Sequence, residues 1–340
     1  MTSRQIKVGI TMGDPSGIGP EVIIKGACQF KGIHLENILV LGDFGILEKE
    51  SLRLKSKLKI HSLKNIFDSA EKNSLNILNL SHLSTKRICY AEPNESYAKA
   101  ALTYLDHAIR FSQENLIDAF VTAPLNKHAI FKIFNGFRGH TEYIAEKTRA
   151  NTPVMLMTSP KMKVVPLTTH VSIENVPKQI SKDSIVTILR IVDENLRNLF
   201  GIKKPRIAVT GLNPHSGEEI FGNEERDIIY PAIQIANSLG INAFGPYPAD
   251  SIFLRAIDKT FDLVLTMFHD QALIPIKTVS FHKVVNITLG IPIIRTSVGH
   301  GVAYDIAGKN LANPESMIEA VKMALFMVKN KLRQRKRKSL

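Results

Sequence analysis

Seven short apolar runs, with helical patterns between them, constrain this chain most. The runs are Ile6–Thr11, Ile38–Leu41, Ala119–Thr122, Lys163–Thr168, Arg206–Thr210, Leu263–Met267 and Val284–Thr288. Apolar spacing of helical period marks Pro20–Ala27, Tyr97–Glu114, Thr141–Thr148, Ser184–Leu199, Glu224–Leu239 and Pro314–Lys331. Strands that alternate with helices build βαβ units, so the pattern predicts an α/β fold with mostly parallel sheet. At 340 residues the chain has room for about two domains. The Lys-, Ser- and Asn-rich stretch from Lys49 to Lys86 is expected to be a peripheral part of the first.

Composition removes several function classes. Cys28 and Cys89 are the two cysteines, too few for a disulfide framework or a cysteine zinc site. The N-terminus lacks the apolar core of a signal peptide, and no uncharged apolar run nears the ~20 residues that span a bilayer. A cytoplasmic protein without membrane contact is expected. The net charge of +13 raises nucleic acid as a partner, but seven basic residues crowd Lys329–Lys338 with no aromatic side chains among them. That tail reads as a solvated helix end, and no nucleic-acid role is expected.

In open α/β sheets, ligands bind at the carboxyl ends of strands. The first such end carries Gly13-Asp14-Pro15-Ser16-Gly17-Ile18-Gly19-Pro20-Glu21, neither a dinucleotide fingerprint nor a P-loop. The third carries Ala123-Pro124-Leu125-Asn126-Lys127. Further on comes Gly139-His140-Thr141-Glu142, where Thr141 can cap a helix whose N-terminus offers a phosphate seat. Three later ends each carry a histidine: His170, His215 in Asn213-Pro214-His215-Ser216-Gly217, and His269 in Phe268-His269-Asp270-Gln271. In a parallel sheet these ends share one edge. The imidazoles are then either structural or the three ligands of an open zinc-like site. Lys277, Asn286 and Arg295 follow, two of them cations suited to a carboxylate or phosphate. The small-residue loop from His300 to Asn310 carries one buried-looking acid, Asp305.

Taken together, TMGDPSGIGPE at Thr11–Glu21, VTAPLNK at Val121–Lys127, GHTE at Gly139–Glu142, NPHSGE at Asn213–Glu218, FHDQ at Phe268–Gln271 and VNITLGIPIIRTSVGHG at Val285–Gly301 resemble the 4-hydroxythreonine-4-phosphate dehydrogenases. The resemblance runs from about Val8 to Pro314. It implies two α/β/α domains flanking a cleft, as in isocitrate and isopropylmalate dehydrogenases. The first comprises residues 1–135 and 289–340, the second 136–288 with the metal ligands and the dimer interface. It implies a homodimer with shared active sites. It also implies a divalent cation (zinc, magnesium or cobalt) on His170, His215 and His269, with ligands drawn from both chains. Substrate contacts fall on His140, Thr141, Lys277, Asn286 and Arg295. NAD or NADP falls on the loop of His300, Gly301, Ala303 and Asp305. Gly299, where the family usually has Asp, and Asn310, where Gly is common, depart from the pattern on that loop.

The reaction so implied is oxidation and decarboxylation of 4-phosphohydroxy-L-threonine to 3-amino-2-oxopropyl phosphate, a step of pyridoxine 5'-phosphate biosynthesis. Asp250, Asp270 and Lys277 are the candidates for the catalytic base. The alternative is a dehydrogenase of the same fold acting on a phosphorylated sugar acid, threonate or erythronate 4-phosphate.

Overall fold

All seven apolar runs form strands and all six helical patterns form helices, in a computed structural model that describes residues 6–85, 89–218 and 220–338. The chain opens with β1 (Val8–Thr11), α1 (Gly19–Cys28), β2 (Ile38–Gly42), α2 (Phe44–Arg53), β3 (Ile60–Leu63) and β4 (Leu75–Asn79). Then follow α3 (Glu95–Gln113), β5 (Ala119–Thr122), α4 (Lys127–Ile133) and α5 (His140–Thr148). Asp43, Asn94 and Asn126 each accept a backbone N–H and so start α2, α3 and α4.

The middle of the chain supplies β6 (Val154–Thr158), β7 (Lys163–Pro166), the single turn α6 (Val176–Gln179), α7 (Lys182–Asn198) and β8 (Ile207–Thr210). It continues through α8 (Tyr230–Ser238), β9 (Ala243–Tyr247), α9 (Ile252–Ile257), β10 (Leu263–Thr266), α10 (His269–Ser280) and β11 (Val285–Leu289). The chain ends with β12 (Arg295–Val298) and α11 (Glu315–Lys338). The basic tail is therefore helical as far as Lys338, and its described side chains are mostly exposed. Lys86, Ser339 and Leu340 lie outside the described residues.

These elements form two compact units, one of residues Met1–Pro153 and Ile291–Lys329, the other of Val154–Gly290 and Asn330–Leu340. The resemblance divides the chain at 135/136 instead. The difference is α5, which packs on α3: Tyr143 Oη donates to Asp106 Oδ1 at 2.6 Å. At the other end, Asn330 Nδ2 donates to Leu199 O at 2.9 Å and counts with the second unit.

In the first unit the strand order is β3-β4-β2-β1-β5-β12, every pair parallel. β3 and β4 come from the Lys-rich stretch, and β3 is the outer of the two. Ile10, Leu39, Leu41, Phe120 and Val121 are fully buried, each side chain contributing about 1.5–3 kcal/mol. In the second unit the order is β11-β6-β7-β10-β8-β9. The pairs β7-β10, β10-β8 and β8-β9 are parallel. β6 runs antiparallel to both neighbours because a tight connection, closed by Ser159 N on Met162 O at 2.9 Å, folds it back on β7. Val164, Ala208, Val264, Ala272 and Ile276 centre the core. Among the described residues, no helix is long and apolar enough to cross a membrane.

Candidate active site

Parallel pairing fixes where the motif loops fall. In the first unit β1, β5 and β12 are neighbours, so the loops after them leave from the same sheet edge. The segment before α5 joins them. Gly139 holds φ +147°, and a Cβ there would lie 3.1 Å from Glu142 Oε2 and Lys127 Cε, so only glycine fits. Gly139 is thus the N-cap of α5, not Thr141 as expected, and Thr141 sits in the first turn. A glycine cap offers no side-chain acceptor to the helix N–H groups, which leaves an anion-ready terminus.

Cations gather at this terminus. Arg295 is 2 % exposed and donates to Thr122 Oγ1 through Nε at 3.2 Å and Nη2 at 2.7 Å. Burial pushes its guanidinium down to about 9, while Glu142 acts in the opposite direction. It is still protonated at neutral pH. Burial, with Arg295 and Lys127 adding to it, holds the His140 imidazole well below its ordinary value. His140, Thr141 and Arg295 were expected from the sequence. Lys127, Glu142 and Thr122 were within quoted motifs but carried no assigned role. The glycine at position 139, followed by the helical pattern, was the available signal.

This cluster makes stability depend on pH. Below the ordinary histidine value of 6.5, the unfolded chain takes up a proton that folded His140 refuses. Stability therefore falls as pH drops through that region. One proton bounds the effect at about 1.4 kcal/mol per pH unit, and the accessible surface that His140 keeps lowers it further. Melting curves at about pH 7 and pH 5 should show wild type losing more stability than His140→Asn. Parallel losses in both would refute the assignment.

The expected cofactor loop is anchored at two places. Ile18 N donates to Val302 O at 3.0 Å, and a Cβ on Gly17 would press on the same carbonyl. Tyr304 Oη donates to Asp14 Oδ2 and accepts from Asn126 Nδ2 at 2.7 Å. Burial and the Asp14 contact push the Tyr304 phenol up to about 12, so it stays a donor. This phenol ties together the ends after β1, β5 and β12. At the loop's far end, Arg53 Nη1 donates to Gly308 O at 2.9 Å and Lys25 Nζ to Asn310 O and Ala312 O, both at 3.0 Å. Ala303 is left-handed at φ +45°. Asp305 is exposed, contrary to the expected buried acid, because the loop's inward side is taken by Ala307. A cavity of about 550 Å³ opens beside Asn94, Lys99, Asn126, His128 and Lys132.

In the second unit the three histidines follow the adjacent strands β7, β10 and β8 at their carboxyl ends. Leu167 N on Thr266 O at 2.7 Å and Thr168 N on Met267 O at 3.2 Å extend the β7–β10 pairing towards His170 and His269. Gln271 links the other two loops. Its Oε1 accepts Met267 N at 2.9 Å and Thr210 Oγ1 at 3.3 Å, and its Nε2 donates to Gly211 O at 3.2 Å. His269 Nδ1 lies 2.6 Å from Asp270 Oδ1. All three histidines retain accessible surface. Among the described residues, no group of three or more His, Cys, Asp or Glu of one chain is placed to hold a metal ion.

The loop around His215 is unusual. His215 (φ +52°), Ser216 (φ +60°), Gly217 (φ +89°) and Glu218 (φ +42°) are all left-handed. The three that are not glycine each carry strain of about 1–3 kcal/mol. Glu225, 6 % exposed, holds the loop's base. Its Oε1 accepts Leu212 N at 2.7 Å and Asn213 N at 2.8 Å, and its Oε2 accepts Asn213 Nδ2 at 2.9 Å. Nothing in the sequence flagged this glutamate, which lies within a helical pattern.

The other expected residues disperse. Lys277 lies eight residues beyond His269 on α10, about 12 Å along the axis. Asn286 is on β11, and its buried Oδ1 has no hydrogen-bond partner among the described residues. Asp250 and Asp270 line one apolar groove of about 500 Å³ with Leu254, Phe268, Gln271 and Ile274. Leu254 and Ile274 are exposed there.

Residues 34–324 match the family model described as pyridoxal phosphate biosynthetic protein PdxA. The 4-hydroxythreonine-4-phosphate dehydrogenase of Desulforapulum autotrophicum is 40% identical over 95% of this chain and 96% of its own length. A protein of Oceanobacillus iheyensis, provisionally named a D-threonate 4-phosphate dehydrogenase, is also 40% identical, over 97% of this chain and all of its own. The crystal structure of 4-hydroxythreonine-4-phosphate dehydrogenase from Klebsiella pneumoniae superposes with a TM-score of 0.85 at 32% identity, covering 95% of this chain and 99% of that one. With its motif loops on the expected strand ends and matches along nearly its whole length, the chain belongs to the PdxA family of pyridoxal phosphate biosynthetic proteins.

Proposed function

We propose that this chain is a cytoplasmic, homodimeric, NAD(P)-dependent dehydrogenase that oxidises and decarboxylates 4-phosphohydroxy-L-threonine to 3-amino-2-oxopropyl phosphate in pyridoxine 5'-phosphate biosynthesis. The observation that carries this reading is the cradle of two cations, Lys127 and Arg295, beside the neutral His140 imidazole at the glycine-capped start of α5. It fits a phosphate dianion. Backbone N–H groups, a guanidinium and Thr141 Oγ1 supply donors without a local acid taking up the charge in full.

The donor set of the second unit fits a divalent cation of the zinc, magnesium or cobalt kind. Three accessible imidazoles stand at neighbouring strand ends, and in the proposed homodimer ligands from both chains would complete the set. A bound cation and nicotinamide would supply the Lewis acid and the hydride acceptor. Asp270 accepts His269 Nδ1–H, which fixes the tautomer and leaves Nε2 free to bind. That use turns Asp270 from candidate base into orienting group; of the two remaining candidates, Asp250 and Lys277, we assign the proton of the substrate hydroxyl to Asp250, on the same groove. Lys277 and Asn286 are assigned to the carboxylate end of the substrate. The apolar groove with exposed Leu254 and Ile274 is the face we assign to the second chain.

The O. iheyensis relative supports a second reading, in which the substrate is threonate 4-phosphate and a hydroxyl replaces the amine. Absorbance of NADH or NADPH, with each substrate and with and without a chelator, separates the two. Chelator-sensitive turnover of the amino acid is expected. Turnover of the sugar acid alone would move the enzyme to the second reading, and turnover of neither would refute both.

A further inference from the structure

We infer that Glu225 is a positioning residue for metal binding, acting through the loop that carries His215. The inference rests on the reading that His215 is a metal ligand, and it goes further by naming what holds that ligand in place. Four successive left-handed residues, His215 to Glu218, make a turn that the backbone does not adopt without restraint. The restraint is the Glu225 carboxylate. It gathers Leu212 N, Asn213 N and Asn213 Nδ2 within 2.9 Å, immediately before the turn begins.

The fit is close on both sides. A Cβ at Gly211 would lie 2.9 Å from Glu225 Oε1, and one at Gly217 would lie 2.9 Å from Glu225 Oε2. Gly211 before the turn and Gly217 within it therefore make room for this carboxylate. Glu224 adds a second acceptor for Asn213 Nδ2 at 2.8 Å. Glu225 opens a π-helical turn, Glu225–Ile229, which leads into α8. Such a turn re-aims side chains locally and recurs at functional sites. Among the described residues the side-chain contacts of Glu225 are N–H donors, so removing one acceptor loosens the loop directly.

Glu225→Gln is the test. The variant's amide must turn an NH2 towards at least one of the three donors, and that contact breaks. Zn²⁺ and Co²⁺ affinities of the metal-free, full-length protein would be measured by calorimetry and equilibrium dialysis, together with its melting temperature. Loss of an outer-shell partner lowers metal affinity by about 10–100-fold, and that drop is expected here. Turnover should recover when metal is added in excess, which a general packing defect would not allow. If Glu225→Gln does not fold, Asn213→Ala removes the side-chain contacts to Glu225 Oε2 and Glu224 Oε2, keeps both backbone N–H contacts to Glu225, and should show a smaller drop of the same sign.

His215→Ala separates the two levels. Loss of metal in His215→Ala with wild-type affinity in Glu225→Gln, or in Asn213→Ala where that variant stands in, overturns the role of Glu225 alone. Wild-type affinity in His215→Ala overturns the metal reading and this inference with it.

Discussion

Replacing Arg53 by methionine should lower the unfolding free energy by about 1–3 kcal/mol, below the range for a fully buried ion pair because the guanidinium keeps some access to water. Glu21 and Glu50 are each 1 % exposed, and a lone carboxylate at that depth is strongly disfavoured. Arg53 serves both. Nη2 reaches Glu21 Oε2 at 3.0 Å and Glu50 Oε1 at 2.5 Å, and Nε reaches Glu50 Oε2 at 3.0 Å. Lys25 keeps Glu21 neutralised at 2.7 Å, so the methionine variant strands Glu50, with the Tyr90 hydroxyl still donating to it at 2.7 Å. The double variant Arg53→Met/Glu50→Gln should regain most of the loss, because the stranded charge is then gone. Chemical denaturation of the three proteins reads this directly. The cofactor loop should loosen as well, since Arg53 also holds Gly308 O. A single variant that melts with wild type would show that the carboxylates are neutralised by other means.

That network also marks where the sequence stopped being legible. Apolar runs gave the central strands because burial on both faces demands Val, Ile and Leu. β12 escaped notice although it is fully buried, because it reads Arg-Thr-Ser-Val. Its polar atoms are satisfied by neighbours that no local pattern reveals: Thr296 Oγ1 bonds to Ala320 O at 2.9 Å and Arg295 to Thr122. β3 and β4 lie in a lysine-rich stretch, where β3 is a partly exposed edge strand and β4 carries the polar Asn76 in the core. α10 was missed since Pro275 interrupts its period. The site was legible where a motif sits on a strand end, as with His140 and the three histidines. It was not legible where a residue acts from a distance in sequence, as Glu225 does on residue 212 or Tyr304 on Asp14. Such contacts are tertiary, and a single sequence records the partners without the pairing.

Arg295→Met should cut kcat/KM for the phosphorylated substrate by roughly 10²–10³-fold, mostly through KM, while leaving the substrate-free protein at least as stable as wild type. The two halves have one cause. A guanidinium 2 % exposed is costly to keep charged, as its lowered pKa records, and Thr122 is one of the groups that hold it in place. Methionine fills comparable space with no charge to desolvate. The cost of the native arginine is recovered only when an anion arrives, so the cradle is held ready for phosphate at the expense of the resting fold. Inorganic phosphate is a probe independent of turnover. It should raise the melting temperature of wild type and leave that of Arg295→Met nearly unchanged. Arg295→Lys should fall between, keeping the charge but losing the planar fork. A methionine variant that melts well below wild type would make Arg295 a structural tie to Thr122. One that keeps its kcat/KM would place the phosphate elsewhere.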